Sequence, residues 1–308
     1  MNSFPLSRYL FRFTVEEPMR MPEYAGSALR GVFGHALRRL ACVTRAKKCQ
    51  GCMLASSCPY TAIFEPQKPE GKSLAINTPP VPYIIEPPAW GARHYERGEP
   101  LGFHFTLVGH SKKHLGMVIL AWQRALMRGL GATDGTARLQ AVYHCTSESQ
   151  ELIWSGEAIQ DHVHSLDLQG APLPHLMVLE FATPLRLQEN GHALPPARIS
   201  ARALLMALVR RASLLSEHYA SGPLFTSDEF TLLAEAAGKI EALKELRWRD
   251  WIRYSSRQQC TMPLGGAIGR ITLDGDLSPF RDVLLLGQYL HVGKEASFGL
   301  GQYRIVQR

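Results

Sequence analysis

The sequence predicts an α+β fold of two tandem ferredoxin-like domains (βαββαβ, RRM-like), the first carrying a cysteine-rich metal-binding insertion. Three observations predict it. Apolar patterns of period 2 and period 3.6 alternate in the order strand, helix, strand, strand, helix, strand. The order then recurs after a looser stretch bearing Gly156, Gly170, Pro172 and Pro174. Four cysteines fall together just after the first helix. The expected domains are residues 1–150, with the cysteines at 42–58, and residues 171–308. The duplication is one of architecture, since no tight sequence repeat accompanies it.

In the first domain, Arg8–Val15 is aromatic and β-branched, as a strand requires, and Pro18 ends it. Pro22 is expected to open a helix, because Leu29, Val32, Phe33, Ala36, Leu37 and Leu40 follow the i, i+3, i+4, i+7 rule. Its opposite side carries Tyr24, Gly31, Gly34, His35, Arg38 and Arg39. Two glycines in a helix cost roughly 1 kcal/mol each relative to alanine. They imply close approach of a ligand or another backbone to that face. Residues 65–100 are proline-rich, with one strand at Val81–Glu86. A strand at Leu101–Val108, a helix at Leu115–Met127 and a strand at Arg138–Cys145 complete the domain.

In the second, His175–Leu187 reads as a strand and Ser200–Tyr219 as a helix capped by Ser200. An extra helix is expected at 228–244, capped by Ser227 or Asp228. Trp248–Cys260 and Gly266–Leu273 read as strands, Leu277–Tyr289 as a helix and Gly299–Val306 as the last strand.

Of the 308 residues, 45% are hydrophobic and 20% charged, a composition that excludes a disordered chain. The net charge of +7, from 34 basic and 27 acidic residues, favours a polyanionic partner such as nucleic acid. The first residues lack the pattern of a secretory leader, and no apolar run reaches the length of a membrane span. A cytoplasmic protein with no membrane partner is expected, and in a reducing compartment its six cysteines are not structural disulfides.

Cys42, Cys49, Cys52 and Cys58 form a C-x6-C-x2-C-x5-C pattern, which fits structural zinc or, as an alternative, an iron–sulfur cluster. Arg38, Arg39, Arg45, Lys47 and Lys48 lead into it as the densest basic stretch of the chain. His162 and His164 look like a metal pair lacking a third ligand, and read as loop residues. Near the C-terminus, Gly293, Gly299 and Gly301 surround Lys294 in a loop before the last strand. Glycine lets a backbone approach phosphate closely, although this is neither of the familiar nucleotide signatures.

Gly293-Lys294-Glu295-Ala296-Ser297-Phe298-Gly299-Leu300-Gly301 resembles the glycine-rich loop of the RAMP superfamily, the RNA-binding proteins of CRISPR systems. Arg253-Tyr254-Ser255-Ser256-Arg257-Gln258 and Met262–Gly269 resemble one branch of it, the repeat-cleaving endoribonucleases that make guide RNAs from precursor crRNA. Leu29–Arg39 resembles that branch's first helix. The resemblance is strongest over about 199–306. It implies metal-independent cleavage of CRISPR repeat RNA by 2′-hydroxyl attack, leaving a 2′,3′-cyclic phosphate and a 5′-hydroxyl. Any metal at the cysteines is then structural, and no cofactor is required for catalysis.

By the same resemblance His35 is the catalytic histidine, with charge from Lys47 and Lys48. The family's tyrosine would be Tyr24, eleven residues earlier, about 16 Å along a helix. His291 is the rival histidine. RNA contacts fall to Arg38, Arg39, Arg253, Arg257, Lys294 and the backbone at Gly293, Gly299 and Gly301. Partners would be precursor crRNA and other CRISPR effector subunits. Two other readings stay open: a RAMP subunit that holds guide RNA without cutting it, and an iron–sulfur redox or sensor protein.

Overall fold

The computed structural model describes residues 3–67, 79–130, 135–168, 173–255 and 260–306. The chain divides into two compact units. One is Pro5–Leu166 with His218–Ala220; the other comprises Met1–Phe4, Asp167–Glu217 and Ser221–Arg308.

The first unit is built on an antiparallel five-stranded sheet. In space the strands run Tyr83–Glu86, Pro100–Val108, Leu6–Val15, Ala137–Cys145 and Gln150–Trp154. Alternation along Leu6–Val15 sends Tyr9, Phe11, Phe13 and Val15 into the core. Helices Gly26–Ala41 and Leu115–Leu126 supply the apolar stripes that pack there. Trp122 is fully buried, its ring centroid 4.6 Å from Phe103 and 4.8 Å from Phe33.

The helical stripe falls where periodicity places it, but the helix starts at Gly26 and not at Pro22. Met19–Met21 instead pairs with Arg93–Tyr95 as a short ribbon, which keeps the residues before Gly26 extended. The extra strand Gln150–Trp154, absent from the sequence reading, joins the sheet edge through Cys145 and Tyr143.

The second unit has an antiparallel four-stranded sheet ordered Glu241–Arg249, Gly266–Asp274, Leu176–Leu185, Tyr303–Val306. Helix Ala201–Tyr219 begins as expected, with Ser200 Oγ accepting the Ala203 amide at 3.1 Å. The extra helix ends at Gly238, and Thr226 caps it in a reciprocal capping box with Glu229. Residues 241–244, expected to be helical, open the edge strand. The single strand expected over 248–260 divides into the end of that strand and a hairpin, Ile252–Ser255 with Cys260–Pro263.

Among the described residues no helix is long and apolar enough to cross a membrane.

Candidate active site

Helix Gly26–Ala41 turns Leu29, Phe33, Ala36 and Leu37 inward and leaves Gly31, His35 and Arg39 exposed, each four residues from the next. The two glycines have different causes. A Cβ at Gly34 would overlap the Phe64 ring, so Gly34 serves packing. A Cβ at Gly31 would meet nothing within 4 Å. Packing among the described residues therefore gives no reason for Gly31, one turn before His35.

The basic residues after the helix divide likewise. Arg38 Nη2 donates to the carbonyls of Ala46 (2.7 Å) and Lys47 (2.8 Å), and its guanidinium lies 5.7 Å from the Tyr60 ring centroid. It buttresses the loop, which engages these donors where an RNA contact had been expected. Arg39, Lys47 and Lys48 are exposed. Because Arg38 is bound to the Lys47 carbonyl, the helix bearing His35 and the lysine loop are tied together.

Tyr24 is corrected. It precedes the helix, is 3% exposed, and stacks on Trp90 with ring centroids 4.7 Å apart. Burial, and secondarily the Glu86 carboxylate, holds its hydroxyl pKa well above the usual tyrosine value. It is a core residue, off the exposed His35 face. His291 is likewise fully buried, at the end of helix Arg281–Leu290.

All four clustered cysteines are free and line one cavity of about 150 Å³. The Thr44 hydroxyl lies 3.9 Å from Cys42 Sγ and 3.7 Å from Cys52 Sγ. Burial pushes the Cys49 thiol pKa up, helped by Glu65 and by Cys58 and Cys42, against Arg38. Among the described residues, no three His, Cys, Asp or Glu side chains are drawn together closely enough to hold a metal ion. The donor set, four thiols around one cavity, suits a thiophilic ion.

His162 and His164 gain a neighbour the sequence did not reveal. His144, from the sheet, sits 4.9 Å from His162 between ring centroids, and His162 sits 4.3 Å from His164. Both His162 nitrogens are used, on the Tyr9 hydroxyl (3.0 Å) and the Gln160 carbonyl (2.9 Å). Burial, then the neighbouring His162, His164 and Lys112, lowers the His144 pKa to about 4. Burial and Arg8 lower His104 to about 4 as well. Unfolded, both rings would titrate near 6.5. Depressed histidine pKa values mean the folded state binds fewer protons than the unfolded one between those limits. Stability is thus full above about pH 6.5 and falls with pH to about 4, by on the order of 2 kcal/mol per ring already at about pH 5. Chemical denaturation at pH 7 and pH 5 checks this, with His144→Gln expected to flatten the dependence.

In the second unit, the glycine loop is corrected in its use. Gly293, Gly299 and Gly301 have φ of 89°, 102° and 68°, which favours glycine at each. A Cβ at Gly301 would overlap the Val292 carbonyl, and one at Gly293 would lie 2.6 Å from the Arg186 carbonyl oxygen. The Lys294, Gly299 and Gly301 amides donate to Arg186, Ala296 and Pro184 carbonyls at 2.8, 3.0 and 2.9 Å. These glycines fasten the loop to the end of strand Leu176–Leu185, and those amides are not offered to phosphate. Lys294 is exposed at its tip. Arg186, which sequence reasoning missed, joins two segments: its Nη1 donates to the Gly265 carbonyl at 2.7 Å. Arg253 lies on the hairpin strand opposite Met262, and Arg257 lies outside the described residues.

Comparison with known proteins bears on both halves. Residues 4–167 match the family model of the AF_1859 N-terminal domain, and residues 179–303 match that of the CRISPR-associated endoribonuclease Cas6. An uncharacterized protein of Archaeoglobus fulgidus is 24% identical over 295 residues, covering 92% of each chain. The Cas6 (TTHB231) product complex superposes with a TM-score of 0.58 at 18% identity, covering 98% of this chain and 99% of that one. The same Cas6, recorded from Thermus thermophilus, gives 0.55 at 16%, covering 99% and 100%. A partial Cas6-RT-Cas1–Cas2 complex gives 0.59 at 15%, covering 99% of this chain and 47% of that one. At such identities the structural matches establish a shared fold. Its match over residues 4–167, more than half of its length, places the chain in the AF_1859 N-terminal domain family, and residues 179–303 match the CRISPR-associated endoribonuclease Cas6.

Proposed function

We propose that the chain cuts CRISPR repeat RNA within the precursor transcript, without a metal in the reaction, at the exposed His35 face. The observation that carries this reading is Gly31. An exposed glycine inside a helix costs about 1 kcal/mol, and no packing among the described residues accounts for it. A bare backbone notch beside His35 suits close approach by a sugar–phosphate chain.

In the proposed reaction the 2′-oxygen attacks the adjacent phosphorus while the bond to the 5′-oxygen breaks. His35 takes the 2′-hydroxyl proton, solvent water protonates the leaving 5′-oxygen, and His35 then returns its proton to solvent. Lys47 and Lys48 stabilise the pentacoordinate phosphorane, and Arg39 contacts a flanking phosphate. The products are a 2′,3′-cyclic phosphate and a 5′-hydroxyl. Both halves are, in this reading, ferredoxin-like: in each sheet the strands lie in the order second, third, first, fourth, counting the four strands of the repeated motif along the chain. Partners are repeat RNA and other CRISPR proteins, in line with the product complex and the Cas1–Cas2 assembly among the relatives.

Purified protein incubated with repeat RNA is expected to give a single cut. Tight binding with no cut, with or without divalent ions, would leave an RNA-holding subunit and overturn the proposal. A second expectation concerns Gly31→Ala. It should raise stability by about 0.5–1 kcal/mol, read by denaturation, yet slow cutting and weaken repeat binding. Unchanged cutting in the stabilised variant would remove Gly31 from the site.

A further inference from the structure

We infer that Cys42, Cys49, Cys52 and Cys58 bind one zinc ion as a tetrathiolate, and that this ion fixes the loop carrying Lys47 and Lys48 to the helix carrying His35. The first support is placement: all four free thiols line the same cavity, although they lie in three separate stretches of the loop, and since no three of them stand within reach of one ion here, binding would draw the loop in. Independent cysteines would have no reason to share it.

The second support is the loop itself. Between helix Gly26–Ala41 and the short helix Pro59–Ile63 the chain has no regular structure. Segments longer than about 12–15 residues without secondary structure are uncommon inside compact domains. Its apolar side chains do little to hold it, for Val43 is 80% and Met53 87% exposed. A segment that buries so little needs another source of order, and a bound metal is the usual one in small loop-rich modules.

The third is a turn that presents two of the sulfurs together. The Cys52 amide donates to the Cys49 carbonyl at 3.1 Å, and Gly51 within that turn adopts a φ of 75°. The C-x2-C pair is thereby held together at the cavity wall. The Thr44 hydroxyl lies between Cys42 and Cys52, and Thr61 Oγ1 donates to the Cys58 carbonyl at 2.9 Å, anchoring the fourth cysteine at the helix start. No carboxylate or imidazole lines the cavity, so the donors are sulfur alone. That set favours zinc over the hard cations.

Binding releases one proton per thiol as thiolate replaces thiol, with no redox step. The consequence for the active face is mechanical. Arg38 already holds the Ala46 and Lys47 carbonyls, and the ion would close the loop on its far side. The zinc inference stands apart from the cutting chemistry, so either can fail without the other.

The test is metal analysis of the full-length protein purified without chelator. Elemental analysis should give one zinc per chain, falling at least fivefold in Cys49→Ser and in Cys52→Ser. The wild type supplies a second reading that does not depend on the folding of those variants. Mercurial titration of its thiols should release that zinc in step, and exchange with Co²⁺ should give the intense visible bands of a tetrahedral tetrathiolate. A folded wild-type protein with no metal and four freely alkylated loop thiols would overturn the inference. So would a brown protein containing iron and acid-labile sulfide in place of zinc. Limited proteolysis after metal removal should show faster cleavage in 42–58 with the rest of the unit intact, and an unchanged pattern would contradict the pinning role.

Discussion

His35→Ala is expected to lower the rate of repeat cleavage by 10²- to 10³-fold while leaving repeat affinity within a few-fold of wild type. General acid–base catalysis by one positioned side chain is worth about 10²–10⁴. His35 is exposed and its side chain supports no part of the core, so its removal should not unfold the helix. Single-turnover cleavage and filter binding, measured on the same preparation, separate the two effects. Loss of binding together with cutting would make His35 a contact residue. Cutting that survives would move the proton transfer to another group, with Lys47 and Lys48 the nearest candidates by sequence. His291 is excluded from that role by its burial.

The second large effect lies in the core of the same unit. Trp122→Ala should cost about 3–5 kcal/mol of stability. Trp122 is fully buried among Phe11, Phe33, Phe103 and Phe105, and it joins helix Leu115–Leu126 to the sheet and to the helix bearing His35. Trp122→Phe should be far milder. The indole N–H is buried without a hydrogen-bond acceptor among the described residues, so removing it relieves a desolvation cost that offsets part of the lost volume. Urea denaturation of the three proteins checks the order. A Phe variant as unstable as the Ala variant would show that the indole shape, not its burial, holds the core.

The first helix shows how far sequence alone reaches. Its stripe from Leu29 to Leu37 was legible because burial on one face imposes a period of 3.6, which is a local property. Ser200 was legible as a cap for the same reason: its partner is three residues away. Gly31 and Gly34 looked alike because what separates them is the Phe64 ring, which no local pattern places against one and not the other. Tyr24 was read as a surface group because its burial depends on Trp90, far along the chain. The glycine loop pointed to phosphate, yet its glycines face Arg186, Pro184 and Val292 backbone. Close approach was the correct inference there, and the approaching partner was the protein itself. The cluster of His144 with His162 and His164 is wholly tertiary, brought together by a strand and a loop. The boundary between helix Ser227–Gly238 and strand Glu241–Arg249 was missed because the edge strand is exposed on both faces and carries no clean alternation.

The measurement that bears most directly on the central claim is the identity of the new RNA ends. Repeat RNA cut by the protein in excess EDTA should yield, by mass spectrometry, a 2′,3′-cyclic phosphate upstream and a 5′-hydroxyl downstream. A repeat with a single 2′-deoxy nucleotide at the cut should resist cleavage entirely. Products ending in a 3′-hydroxyl and a 5′-phosphate, formed only when a divalent ion is restored, would contradict the account.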